Sequence, residues 1–140
     1  MDFEQARTFL KSNHRGVVTT FQRNGAAQSS IVVCGAYQDY LALVSVRGKS
    51  AKVRNLRRDP RCTVTATAAD WRNYVVVEGK ATLLDYRSTD AKEMRQKLRD
   101  VFRVCGDQDH PDWEEYDRAM KEQDGVIVLI TPDRIYGKLG

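Results

Sequence analysis

The chain has 140 residues, 41% of them hydrophobic and 30% charged, with 23 basic against 19 acidic side chains and a formal net charge of +4. That length predicts one domain spanning 1–140 with a real core, because a chain of this size buries roughly two thirds of the surface its unfolded form exposes. No apolar run approaches the roughly 18 residues needed to cross a bilayer, no repeat or low-complexity tract is present, and the opening MDFEQARTFLKSNHRG lacks the apolar core of a signal peptide, so a cytoplasmic protein with no membrane contact is expected.

Asp2 is placed to cap a first helix, with Gln5 completing a capping box and Phe3, Ala6, Phe9 and Leu10 on one face. The helix should stop near residues 13–16. A β-rich run follows over 16–22, then the RNGA segment (23–26) with the Asn-Gly signal of a tight hairpin turn. A partner strand is predicted over 28–37 and a third over 40–46, after a turn at Gln38-Asp39. Ser50 can cap a short helix over 51–59, with Val53 and Leu56 facing inward and Pro60 ending it. A fourth strand covers 61–68. A long fifth covers 73–86, and Gly79 in its middle predicts a bulge or bend. The segment 88–106 reads as a helix with Asp90 and Glu93 as a capping box, an apolar face of Ala91, Met94, Leu98, Val101 and Phe102, and Gly106 as its C-terminal cap. Another helix is expected over 110–120 with Pro111 in its first turn, and a sixth strand over 124–137. Six strands without regular alternation of strand and helix exclude a parallel doubly wound sheet and leave a small antiparallel barrel or sandwich.

Few residues outside one stretch invite chemistry. Cys34, Cys62 and Cys105 are far apart, odd in number and without CxxC spacing, which reads as buried thiols rather than a disulfide framework or a zinc site. His14 and His110 sit in no nucleophile motif and read as surface or capping residues. Asp107, Asp109 and Asp112 lack the glycine and closing glutamate of a calcium loop and read as acids at a helix start. Trp71 and Trp113 are core or groove aromatics, Trp71 with a ring-stacking role in view.

The exception is Arg47 to Arg61, where seven residues are Lys or Arg and only Asp59 is acidic. Removing this segment leaves 16 bases and 18 acids, a balance of −2, so the positive excess is local. A concentrated cluster suits one anionic group, whereas a polyanion-binding protein spreads charge over a face. The aromatics of a single-strand nucleic-acid platform are absent from it. A helix beginning at Ser50 would add unpaired N–H groups and a partial positive charge, with Lys49 and Lys52 supplying full charges. The chemistry is that of a phosphate cradle. A basic, solvated helix that merely confers solubility is the competing reading of the charge.

The segments GKSAKVRNLRRDPRCTVT (48–65) and WRNYVVVEGKATL (71–83) resemble the pyridoxamine 5′-phosphate oxidase-like split-barrel superfamily, and within it the flavin/deazaflavin oxidoreductases that use coenzyme F420. The likeness rests on Ser50 two before Lys52, on VRNLRRDPR (53–61), and on Tyr74 followed by VEGKATL (77–83), and it extends from Gly16 to RIYG (134–137). It implies a mainly β fold with flanking helices (α+β), a six-stranded antiparallel split barrel of the FMN-binding type. It also implies a homodimer with two cofactor grooves at the subunit interface. On this resemblance Lys52 binds the cofactor phosphate beside Lys49, Ser50 and the backbone of Ala51, and Asn55 orders the loop. Ser45 and Val46 line the ring or ribityl chain. Gln28 and Ser30 reach the polar edge of the ring. Tyr74 lies near the groove, from the partner subunit, as a candidate proton donor. Arg54, Arg57 and Arg58 are structural or steering charges.

The implied activity is hydride transfer from reduced F420 to an electron-poor small organic substrate, with FMN as the alternative cofactor of the same fold, and a cofactor carrier without turnover as a further alternative. Three departures matter. Some F420 users carry Arg where Ser50 stands. The ending DRIYGKLG lacks the arginine-rich pattern of true pyridoxamine phosphate oxidases, which argues against oxidation of a B6 vitamer. No heme-binding histidine arrangement is present in the early strands.

Overall fold

A computed structural model describes residues 1–140. Asp2 caps α1 (Phe3–Leu10): its carboxylate accepts from the Gln5 N–H, and the Gln5 side chain accepts in return from the Asp2 N–H, so the capping box is complete. Three strands follow as a meander, β1 (Arg15–Phe21), β2 (Ala27–Tyr37) and β3 (Tyr40–Ser45). Then come α2 (Ala51–Arg58), β4 (Arg61–Thr67), β5 (Tyr74–Leu84), α3 (Ala91–Gly106), α4 (Trp113–Glu122) and β6 (Val126–Lys138). Every strand pairing is antiparallel, and the order β1-β2-β3-β6-β5-β4 closes on itself through β1 and β4. The fold is therefore a closed six-stranded barrel with four helices around it, as the sequence implied. Closure removes the unpaired sheet edges that would otherwise template aggregation. No helix is long and apolar enough to cross a membrane.

Alternation places the core. In β1 and β4 every second residue is buried, and Val18, Val32, Cys34, Leu43, Val64 and Val77 fill the barrel. Ala6 and Leu10 of α1 and Leu56 of α2 join this cluster. The opposite faces of β3 and β6 are buried too. Ala42, Ile127 and Leu129 pack under Met94, Leu98, Val101 and Cys105 of α3 and Tyr116 and Met120 of α4. Burial on both faces explains why YLALVS and GVIVLI are continuous apolar runs rather than alternating ones. The α3–α4 hairpin thus covers one side of the barrel and forms a wall beside β2 and β3.

Five local expectations are corrected. The RNGA segment does not make a two-residue turn: Phe21 pairs with Ala27, Gln22 N–H donates to Ala26 O, and Gly25 alone is left-handed, at φ 86°. With Asn24 held at negative φ and its side chain accepting from Ala26 N–H, the loop is a three-residue turn ending in glycine. The helix predicted from 88 starts at Ala91, because Asp90 accepts the Glu93 N–H and sets the cap there; the reciprocal Glu93 bond of a capping box is not made. Its left-handed cap is Asp107, at φ 57°, and not Gly106, which stays within the helix. Pro111 precedes the next helix instead of opening it, since Asp112 is the capping residue. The bulge expected at Gly79 is present, as a register shift between Glu78 and Gly79 against β6.

Candidate functional site

The basic stretch is shaped by two serines. Ser45, buried at the end of β3, donates its hydroxyl proton to Arg47 O at 2.9 Å and sits 2.9 Å from Ser50 Oγ. With its only proton used, Ser45 accepts from Ser50. Ser50 in turn accepts the Val53 N–H, capping α2 from an extended backbone. Both hydroxyls are thereby committed to holding the turn 46–49 over the start of α2. In this arrangement Ser50 positions the loop and has no proton left for a ligand. What faces outward are the cations of Arg47, Lys49 and Lys52, none of which forms an ion pair, and the first-turn N–H groups of Ala51 and Lys52, which have no acceptor within the helix. Lys52 is half-buried, and desolvation lowers its pKa.

The rest of α2 is anchored inward. Asn55 is buried; its amide donates to Thr20 Oγ1 at 3.1 Å and to Gln28 Oε1 at 2.7 Å, and its carbonyl accepts from Arg58 at 3.1 Å. Arg58 also donates to Phe21 O, Arg54 donates to Lys49 O, and Arg57 pairs with Asp85 at 2.9 Å. These three arginines fix the helix to β1, to its own loop and to the end of β5.

The cations open into a cavity of about 720 Å³. Its floor is the outward face of β2 and β3, with Ile31 and Val33 beside Val44 and Val46. Its wall is the α3–α4 hairpin, contributing Phe102, Cys105, Gly106, Tyr116, Met120 and Gln123. Arg47, Ser50 and Lys52 form the charged end. A long apolar trough with a compact cationic terminus suits a flat heterocycle carrying an anionic tail.

The structure brings together Ser45, Val46, Ser50 and Lys52 of the residues the sequence singled out. Lys49 and Ala51 lie on the same loop and first turn but do not line the cavity. Gln28 and Ser30 alternate with Ile31 and Val33, so they share the barrel-facing side of β2 with Val32 and Cys34. Gln28 is engaged by Asn55, itself a buried scaffold residue outside the cavity. Tyr74, 37% exposed at the start of β5, does not line the cavity of its own chain. Residues not anticipated include Ile31 and Val33, whose outward direction was legible in the strand alternation. The helical wall was not legible, because nothing in an amphipathic pattern says which strands a helix will cover.

The remaining chemistry is quiet. The three cysteines are free and buried; burial pushes the Cys34 and Cys62 thiols up to about 12 and raises Cys105 as well. Cys105 donates to Ala42 O at 3.5 Å, and Tyr116 donates to Leu98 O at 3.2 Å, so neither presents a reactive group to the cavity. His14 is more than a surface residue: Nδ1 lies 2.8 Å from Cys34 O and Nε2 2.5 Å from Asp107 Oδ2, tying the start of β1 to the end of α3. Asp107 and Asp109 pair with His14 and Arg103, and Asp112 caps α4, so only the last marks a helix start. Trp113 and His110 pack with Phe102 and Tyr116 in an aromatic cluster behind the wall. Trp71, 81% exposed, instead stands on the β4–β5 turn beside Val17 and Ile31.

Known structures share this architecture. A conserved hypothetical protein from Mycobacterium tuberculosis superimposes with a TM-score of 0.78 at 20% identity, over 99% of this chain and 84% of that one. A protein described as an F420 reductase gives 0.67 at 19% identity, over 93% and 94%. A FAD-binding protein from Mesorhizobium loti gives 0.65 at 17% identity, over 98% and 94%. At these identities the likeness is one of fold. The family model described as pyridoxamine 5′-phosphate oxidase matches residues 3–138, nearly the whole chain, and with the barrel, the basic turn and the trough beside it this places the protein in the pyridoxamine 5′-phosphate oxidase family.

Proposed function

We propose that this protein is an oxidoreductase that uses coenzyme F420, acting as a homodimer and passing a hydride to an electron-poor small organic molecule. The observation that carries the reading is the unpaired cationic turn at the N-terminus of α2, opening directly into an apolar trough. The donor set fits a phosphate: Lys49, Lys52 and Arg47 offer charge, Ala51 and Lys52 offer backbone N–H groups, and Ser45 and Ser50 preset the loop. Ile31, Val33, Val44 and Val46 offer a flat apolar bed for a tricyclic ring. When bound, the deazaflavin supplies the hydride, and the protein's part is to hold acceptor and ring within reach and to keep water out. No side chain of the cavity is arranged as a nucleophile, which suits chemistry borne by a cofactor.

The dimer reading draws support from the outer barrel surface. Ile31, Val17, Thr65, Val76 and Tyr136 are directly paired in register across β2, β1, β4, β5 and β6. Ile31 at one end of this row and Trp71 beside it are each 81% exposed, Tyr136 at the other end is 38% exposed, and exposed apolar area of this kind suits an interface. Ile31 also lines the trough, so the row runs into the site. A second subunit there would bring its own Tyr74 and Trp71 toward the trough.

FMN is the second reading, favoured by the same phosphate chemistry and by the fold shared with a FAD-binding protein. Absorbance of the purified protein, followed by titration with F420 and with FMN, discriminates them. Lys52→Ala should weaken the cognate cofactor by about 1–3 kcal/mol while leaving the fold intact. Unaltered affinity in that variant would show that the anion sits elsewhere.

A further inference from the structure

Gly106 has no structural need to be glycine. It is the last residue of α3, and the left-handed conformation that ends the helix belongs to Asp107. Gly106 itself is not among the residues with positive φ. A Cβ built on it would meet nothing closer than Gln108 Cγ at 3.9 Å, an ordinary contact. Alanine is the better helix former at such a place. Yet Gly106 lines the trough, together with Phe102 and Cys105 of the same helix. The only thing a side chain there would displace is the content of the trough.

The surroundings define that content. Arg47 and Lys52 mark the end for an anion. The helical wall presents Phe102, Tyr116 and Met120, with the Tyr116 hydroxyl and Cys105 thiol already spent on Leu98 O and Ala42 O. No lysine or arginine of α3 or α4 lines the trough. The C-terminal carbonyls of α3 place a partial negative charge there, and the carboxylate that follows Gly106 in sequence, Asp107, is held by His14. The basic turn is fastened to the end of α4 at Gln123, whereas the last turn of α3 lies over Gly35, where a Cβ would meet Val104 O, so the cations and the α3 terminus stand at different ends of the β2–β3 floor.

We infer that Gly106 is the specificity-determining residue of the acceptor end, kept without a side chain so that a flat, uncharged, apolar molecule can lie against α3, and that a second anionic group is rejected there. This rests on the cofactor reading above, in which the tail occupies Arg47 and Lys52.

The test is a series at one position: Gly106→Ala, Gly106→Leu, Gly106→Gln and Gly106→Arg in the cofactor-loaded protein. Melting should be unchanged or raised in all four. Cofactor affinity should stay within twofold. The probes are a neutral naphthoquinone and the same ring bearing a sulfonate, with binding followed by quenching of tryptophan fluorescence and turnover followed by cofactor oxidation. Gly106→Leu should weaken the neutral probe tenfold or more, with Gly106→Ala between it and the wild type. Gly106→Arg should shift the sulfonate-to-neutral binding ratio upward at least tenfold, and Gly106→Gln, of similar length and no charge, should not. Neutral-probe binding insensitive to Leu, or a ratio insensitive to Arg, overturns the inference, as does failure of the neutral probe to bind; exclusion of the sulfonate probe from the wild type supports it. Loss of cofactor affinity in Gly106→Leu would assign the position to the cofactor and overturn it too. Failure of the cofactor reading shows separately, as unchanged cofactor affinity in Lys52→Ala.

Discussion

Gly48 and Gln123 are joined backbone to backbone: the Gly48 N–H donates to Gln123 O at 3.2 Å, so the basic turn is fastened to the end of α4. The approach is so close that a Cβ on Gly48 would lie 2.3 Å from Asp124 O, a backbone atom that cannot swing aside. The cationic turn and the helical wall of the trough are therefore one mechanical unit.

Gly48→Ala should force the turn off α4. Overpacking of this kind costs about 1–3 kcal/mol, and the displaced turn should bind a phosphate-bearing cofactor more weakly. Thermal denaturation and titration calorimetry read the two effects. A variant with wild-type melting and affinity would mean that the turn is not fastened as described.

Asn55 is a buried scaffold group, and its loss leaves the buried Thr20 hydroxyl without its partner. Asn55→Leu removes the acceptor of Arg58 and the donor to Thr20 and Gln28. Unfolding in urea should show a loss of about 1–3 kcal/mol, the cost of unsatisfied buried polar groups. Stability equal to the wild type would make this network incidental.

Lys52 carries a pH signature. Desolvation lowers its pKa, so it loses its charge at a lower pH than an ordinary lysine. A bound anion favours the charged form and pulls the pKa back up. Affinity for a phosphorylated ligand should therefore fall as pH rises through the lowered pKa, with proton uptake on binding in that range. Lys52→Arg, whose guanidinium stays charged, should hold its affinity over the same range. Parallel pH profiles for the two proteins would show that Lys52 is not the titrating group.

Asp85 should shape the acid limb of stability. Burial pushes its pKa up, but the Ser88 and Arg87 N–H groups, the Ser88 hydroxyl and the Arg57 guanidinium outweigh that and hold it below the ordinary carboxylate value. A depressed folded-state pKa gives stability that is present above the unfolded value and lost as pH falls through the folded one. Asp85→Asn should cost about 1–3 kcal/mol at neutral pH and flatten the decline in acid. Denaturation midpoints measured from neutral pH downward test this; an equally steep decline in the variant would remove Asp85 from the account.

The outer row gives a test of assembly. Ile31 is 81% exposed in the single chain, so Ile31→Glu should fold normally yet lose self-association in sedimentation. Wild-type protein that sediments as a monomer would refute the dimer directly.

The amino-acid sequence alone determined the elements and the chemistry of the basic turn. Caps at Asp2, Ser50 and Asp90, the period of β1 and β4, and the bulge at Gly79 are local or near-local, set by side chains within a few residues of the backbone they satisfy. Charge density between Arg47 and Arg61 is likewise visible without a fold. The trough was decided only by tertiary structure. Whether Gln28 faces a ligand or Asn55 depends on strand register, which a shift of one residue would reverse. Whether Gly106 is the left-handed cap or stays helical and lines a cavity depends on Asp107 taking that cap and on His14, 93 residues away in sequence, holding it there. Those relationships join distant segments through packing, and no short window of residues contains both partners.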